Sequence, residues 1–290
     1  MKSSKKKHHI SHRTKKKNTC APISEDSFTC FNKNALITII NSWNSYYKDN
    51  KIEYKSGDSK KELWTKLNNK LQDKCDDDYC WTKQEFLKDN KDLKKNYFRP
   101  KMPKVWETNK REWLNTYDIN KVMKQYETKY PNFHFIGAVP MDFDKKLSFG
   151  SCVIDELCNI NIKRFIKKRK NKIGIILNLD NHDQEGSHWV SLFCDFEKNN
   201  IYYFDSYGYK ETNEINNLVS RLQAQGATLN KDIKFHSNNV RNQYKDSECG
   251  VYSINFIERL LKGDTFDSIL NNKVYDDEMY NNRKRYFMYK

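Results

Sequence analysis

Glycine and proline are scarce in this chain, nine and five among 290 residues, which excludes collagen-like and low-complexity architectures. Long apolar runs are missing too. The longest, such as Ile173–Leu177 and Leu36–Ile40, fall far short of the roughly 20 residues that a membrane span needs. No apolar segment of secretory type follows the N-terminus, so a secreted protein is not expected. The eight cysteines form no Cys-x-x-Cys pair and no Cys/His group at zinc-finger spacing, which argues against a structural metal, and no cofactor is implied. Without a secretory segment they are expected to be reduced thiols in a cytosol-like, reducing compartment, most of them acting as small buried hydrophobes. Disorder is excluded by what is present: hydrophobic residues make up 37% and aromatics 14%, enough for a chain of this length to bury a core without covalent staples.

The formal charge of +15 is unevenly placed. Residues Met1–Lys17 hold seven Lys, one Arg and three His with no acid, so this stretch carries +8 and the other 273 residues +7. It reads as a basic disordered tail over residues 1–27. A tether to nucleic acid or to another anionic surface is the functional alternative, and its unpatterned charge does not choose between them.

Apolar residues recurring at three and four predict helices over Ala35–Tyr47, Ser59–Lys74 and Thr82–Asn96, with Ser59 and Glu62 spaced as a capping box. Two prolines in Tyr97–Trp106 end this helical segment and mark a boundary near residue 104. A further helix, Asp118–Lys129, stops at Pro131. Beyond it the pattern turns to β at Phe133–Val139, Ile173–Leu179, His188–Phe196, Ile201–Phe204 and Ile233–Phe235, with a hairpin turn at Glu197–Asn200. Helices are predicted at Val153–Lys168, Glu214–Gln225 and Cys249–Lys262, giving an α+β fold in which helices pack on one mixed sheet. Tyr275–Lys290 reads as a terminal helix with acid early and base late, assigned to packing alone.

Cys249 departs from the expectation of an inert thiol. Asp246 and Ser247 are good N-caps, and Val251, Ile254, Ile257 and Leu261 mark a buried face, so Cys249 falls in the first turn of a core helix. Amide groups and the positive dipole end favour a thiolate there, and Gly250 would let a substrate carbonyl approach. A thiolate nucleophile needs an imidazole, and His188 opens an apolar strand. The hairpin that follows returns to Asp205, so His188 and Asp205 fall at one end of the sheet, where the acid can orient the ring. Gln243, six residues before Cys249, is placed to offer its amide to an oxyanion beside the Cys249 N–H.

This ordered set, His188-Trp189, Asp205, Gln243 and Cys249-Gly250, resembles the adenain and SUMO-protease superfamily of cysteine proteases. Trp113-Leu114-Asn115 resembles the Trp-Leu-Asn segment these enzymes place before their catalytic sheet. The likeness runs from about Val105 to Lys262. It implies a papain-like core at residues 105–290, hydrolysis after Gly-Gly by Cys249, His188, Asp205 and Gln243, and a narrow substrate tunnel walled by Trp113 and Trp189. Glu248, where SUMO proteases have Asp, departs toward the viral enzymes. A helical arm at residues 28–104 resembles the Gly-Gly-Xaa polyprotein proteases of large DNA viruses of the African swine fever virus type, giant viruses included.

The resemblance implies a protein substrate with a Gly-Gly-Xaa site, a viral structural polyprotein processed during virion maturation, and a place in the virion or the host cytoplasm. A protease of ubiquitin-like proteins, that is a deSUMOylase or deubiquitinase, is the alternative. A non-catalytic nucleic-acid-binding module is the second.

Overall fold

The computed structural model describes residues 19–24 and 27–289, so the basic stretch Met1–Lys17 lies outside the described residues. The chain divides into two compact units, one of residues up to 102 together with 284–290, the other of residues 103–283.

The first unit is helical. Its helices are α1 (Lys33–Tyr46), α2 (Lys60–Leu71), the short α3 (Asp78–Trp81) and α4 (Lys91–Tyr97). Asn32 caps α1 by accepting from the Ala35 N–H at 2.8 Å. Ser59 and Glu62 form the expected reciprocal box at the start of α2. The three- and four-residue spacing puts Leu36, Ile39 and Ile40 of α1 against Leu63, Leu67 and Leu71 of α2 in one core. Asp78 is buried among donors: it accepts from the Thr29 hydroxyl, the Cys30 N–H and the Trp64 indole at 2.5, 2.9 and 2.9 Å. The continuous helix expected over Thr82–Asn96 does not form. A 3₁₀ turn at Glu85–Leu87 precedes α4, because burying the adjacent Phe86 and Leu87 together requires a tighter turn than one apolar helical stripe allows. The C-terminal segment belongs to this unit as well, with Met288 bonded to the Met102 N–H and the Pro100 carbonyl at 3.0 and 2.8 Å.

The second unit is built on a five-stranded sheet in the order β1-β2-β3-β4-β5. Its strands are β1 (Phe133–Pro140), β2 (Lys172–Asn178), β3 (Trp189–Asp195), β4 (Asn200–Phe204) and β5 (Lys234–Ser237). The sheet is mixed: β1 and β2 are parallel, as are β4 and β5, while β2/β3 and β3/β4 are antiparallel. Its helices are α5 (Thr116–Lys129), α6 (Asp155–Cys158), α7 (Ile162–Lys167), α8 (Asn213–Ala227), α9 (Cys249–Lys262), α10 (Phe266–Asn271) and α11 (Asp276–Tyr286).

Alternation along the strands decides which helix covers which face. Ile173, Ile175 and Leu177 of β2 and Val190, Leu192 and Cys194 of β3 form a core with Ile215, Leu218 and Leu222 of α8. The intervening residues face α9: Ser191 Oγ donates to the Ser253 carbonyl at 3.2 Å, and Phe204 stacks on Phe256 at 4.8 Å. Gly174 lets that helix come close, since a Cβ there would meet Phe133 at 2.8 Å and Ile257 at 3.4 Å. The helix expected over Val153–Lys168 is instead two, α6 and α7. The Gln225 amide bonds the Ile160 carbonyl and the Ile162 N–H between them, fixing a break there.

The expectation of reduced thiols throughout is corrected for six of the eight cysteines. Disulfides join Cys20–Cys30, Cys75–Cys80 and Cys152–Cys158, leaving Cys194 and Cys249 free. The physical reason is local: turns of 10, 5 and 6 residues bring the paired Cα atoms to 5.0, 5.4 and 6.2 Å, within bridging range. Such pairs persist in oxidising surroundings, so thiol count is no argument for a reducing compartment. Among the described residues no helix is long and apolar enough to cross a membrane.

Candidate active site

The antiparallel β3–β4 ladder, with Ser191 opposite Phe204, sets the residue before β3 beside the residue after β4. Those residues are His188 and Asp205, and the imidazole Nε2 donates to Asp205 Oδ1 at 2.7 Å. Both are buried. The second ring nitrogen, Nδ1, is thereby left for Cys249, whose polar interaction with the ring acts alongside that of Asp205. Burial by itself would depress the imidazole pKa. The bond to Asp205 and the interaction with Cys249 outweigh it and raise the pKa to about 9.

Asp205 is held from several sides. Its N–H donates to Asn238 Oδ1 and its carbonyl accepts from Asn238 Nδ2, each at 2.8 Å, while Oδ1 also accepts from the Tyr207 N–H at 2.8 Å. Oδ2 is buried without a protein partner. The turn that follows needs Gly208: its φ is +76°, and a Cβ would strike the Val240–Arg241 backbone at 2.9 Å. This close approach docks the segment carrying Gln243, whose N–H donates to the Ser206 carbonyl at 2.9 Å. The Tyr207 ring stacks on His188, centroids 4.7 Å apart, and covers one face of the imidazole.

Cys249 opens α9, but Asp246 and Ser247 do not cap it as expected. Glu248 is the cap residue, its side chain makes no capping bond to the first turn, and Ser247 Oγ donates to Glu248 Oε1 at 3.0 Å instead. The helix start thus keeps its amide end unblocked by a side chain. Cys194, the other free thiol, sits inside the sheet core, where burial pushes its pKa far up and leaves it inert.

Gln243 is fully buried. Its Oε1 accepts from Ser206 Oγ at 2.6 Å, its Nε2 donates to the Lys245 carbonyl at 2.6 Å, and a longer contact of 3.4 Å reaches Tyr207 Oη. Trp189 is buried and donates its indole N–H to the Leu114 carbonyl at 2.9 Å, which brings the strand start against the segment of Trp113. Trp113 itself is 37% exposed. The space left by the missing Gly250 side chain is taken by Leu114 and Trp189, since a Cβ would meet them at 3.1 and 3.3 Å. Gly250 therefore serves close packing of this wall, rather than only the approach of a substrate carbonyl.

The structure brings His188 and Asp205 into a direct hydrogen bond, places Cys249 close enough to act on the same imidazole, and sets Gln243 in the loop that leads to the same helix start. Sequence reasoning missed Asn238, Ser206 and Tyr207. Only Asp205-Ser-Tyr-Gly208, a turn pattern, pointed toward the last two.

Comparison with known proteins is consistent with this geometry. The profile of the Ulp1 protease family, C-terminal catalytic domain, matches residues 157–290. The chain is 34% identical over 291 aligned positions to a protein of Acanthamoeba polyphaga mimivirus named as a thiol protease, with 93% of each chain covered. It is 26% identical over 246 positions to the SUMO-1 cysteine protease of African swine fever virus, isolate Pig/Kenya/KEN-50/1950, covering 78% of this chain and 88% of that one. A crystal structure of the African swine fever virus protease superposes with a TM-score of 0.65 over 97% of this chain and 100% of the other. At 20% identity that likeness speaks to the fold, an α+β core with a mixed sheet, flanking helices and helices ahead of it.

Proposed function

Since the chain belongs to the Ulp1 protease family of cysteine proteases, we propose that it is an endopeptidase that cleaves proteins after Gly-Gly with Cys249 as nucleophile. The observation that carries this is the buried imidazole of His188, bonded to Asp205 and interacting with Cys249 at the start of α9. A ring held protonated to about pH 9 is the partner a thiolate needs.

Sγ attacks the scissile carbonyl and forms a tetrahedral adduct. Backbone N–H groups at the start of α9 receive the developing oxyanion, in a site shielded from bulk water. Gln243 joins them by turning the Nε2–H that makes the 3.4 Å contact to Tyr207, while keeping its 2.6 Å bond to Lys245. His188 Nδ1 then donates its proton to the leaving amine, and the acyl-enzyme forms. In the second half Nδ1 takes a proton from water, which attacks the thioester and frees Cys249. Asp205 accepts from Nε2 throughout and keeps the proton on that nitrogen.

Trp113 and Trp189 are proposed as the walls of a slot that admits only residues lacking a Cβ, supported by Trp189 and Leu114 lying against Gly250. The substrate is proposed to be a viral polyprotein carrying Gly-Gly-Xaa sites, cleaved during virion maturation in the virion or host cytoplasm. The printed name of the African swine fever virus relative, a SUMO-1 cysteine protease, favours a second reading in which a ubiquitin-like protein is cleaved. The basic stretch Met1–Lys17 is proposed as a tether to nucleic acid or an anionic surface.

The test is labelling with a Gly-Gly electrophile, read by intact mass and peptide mapping. An adduct on Cys249 that is lost in His188→Ala supports nucleophile, base and slot together. A folded protein that remains unlabelled refutes the assignment. Cleavage of Gly-Gly-Xaa peptides with SUMO and ubiquitin fusions left intact separates the polyprotein reading from its alternative.

A further inference from the structure

Arg283, near the end of α11, has a side chain fully shielded from solvent, as does its partner Glu248. An isolated guanidinium in such a place is strongly disfavoured, so its bonds define what it does. Nε donates to Glu248 Oε2 at 2.7 Å and Nη2 to the Ser247 carbonyl at 3.0 Å. Nη1 donates to the carbonyls of Lys110 and Glu112 at 3.2 and 2.9 Å. The Trp106 ring lies against the guanidinium plane at 4.3 Å, and its indole N–H donates to the same Glu112 carbonyl at 2.9 Å.

These contacts fall on the two segments that border the proposed substrate slot. Ser247 and Glu248 immediately precede the nucleophile Cys249. Glu112 immediately precedes Trp113, and Leu114 meets both Trp189 and Gly250. A planar fork with five N–H groups can hold two backbone segments at a fixed separation, and a lysine, with one point of charge, cannot.

The geometry points to Arg283 as a positioning residue that sets the distance between the nucleophile's helix start and the Trp113–Leu114 wall, and with it the exclusion of side chains beside the scissile bond. It touches no reacting atom, and acts through Glu248 and Ser247 on one side and Lys110 and Glu112 on the other. The inference rests on the proposed cleavage after Gly-Gly.

The experiment compares hydrolysis of matched Gly-Gly and Gly-Ala peptides by full-length wild type, Arg283→Lys, and a double variant combining Arg283→Met with Glu248→Leu. Replacing both members of a buried ion pair by apolar residues often preserves stability, whereas removing one does not, so the double variant is the principal arm. Trp106→Phe, which keeps a ring under the guanidinium and removes the indole bond to Glu112, is the milder companion and carries the test if the others do not fold. Folded variants should lose on the order of 100-fold in kcat/KM for the Gly-Gly peptide, the scale of a misplaced site. Their Gly-Gly over Gly-Ala ratio should fall toward one. A purely structural role would lower the melting temperature and leave that ratio unchanged. Folded variants that keep the wild-type ratio overturn the inference, whatever their turnover. Wild type that does not distinguish the two peptides sinks the substrate reading instead, and turnover alone then judges Arg283.

Discussion

The protonation of His188 can be perturbed and followed. Its pKa of about 9 lies well above the ordinary value of 6.5, so the folded protein holds this proton where a free imidazole would have lost it. Burial opposes this, so the rise comes from the Asp205 bond and the interaction with Cys249. In Asp205→Asn the ring keeps its burial and loses the carboxylate, and its pKa must fall. Peptide hydrolysis that runs through a thiolate–imidazolium pair should show an alkaline limb near pH 9 in the wild type, displaced by at least about one unit toward neutrality in the variant. The same shift makes a claim on stability. A folded pKa raised above the unfolded one contributes stability that is fully present below about pH 6.5 and is lost as pH rises through about 9. Urea midpoints should therefore decline across that window in the wild type and decline less in His188→Ala. An alkaline limb unmoved by Asp205→Asn would refute the account of what holds the proton.

Two further outcomes are expected. Gln243→Ala should lower kcat by roughly 10²–10³-fold with little change in KM if its amide serves the oxyanion, measured by steady-state kinetics on one peptide. Alkylation of unreduced, denatured protein should modify two thiols, Cys194 and Cys249, and intact mass after reduction should reveal six more.

Much of the fold was legible because its central strands are buried on both faces. Ile173–Leu179 and His188–Phe196 read as strands from β-branched and aromatic content alone, and the observed β2 and β3 match them to within one residue at each end. Helix existence was equally plain, and helix continuity was not. The breaks at Glu85–Leu87 and between α6 and α7 are imposed by what lies across from them, the shared burial of Phe86 with Leu87 and the Gln225 amide, which no local period encodes. The disulfides were hidden for a related reason. Cysteines 5, 6 or 10 residues apart can pair only if the intervening chain turns back, and those turns depend on tertiary contacts.

For the site, the order His188, Asp205, Gln243, Cys249 was readable because each residue type has a chemical reason to be there and each lies at the end of a recognisable element. The residues that hold those four are of another kind. Asn238 grips the Asp205 backbone, and Ser206 grips Gln243. Arg283 binds three backbone carbonyls and one carboxylate 35 or more residues away in sequence. Most of these bonds end on backbone groups, which require no particular residue type, so no motif forms around them. Arg283 had a plausible local explanation, as a base late in a helix whose dipole favours it, and that explanation sufficed until the structure placed its guanidinium against Glu248, the residue before Cys249. A charged residue that satisfies a local rule can still be set where it is by a contact from far along the chain. Here full burial of both Arg283 and Glu248, rather than charge pattern, distinguishes the two cases, because a dipole interaction alone would leave the side chain in water.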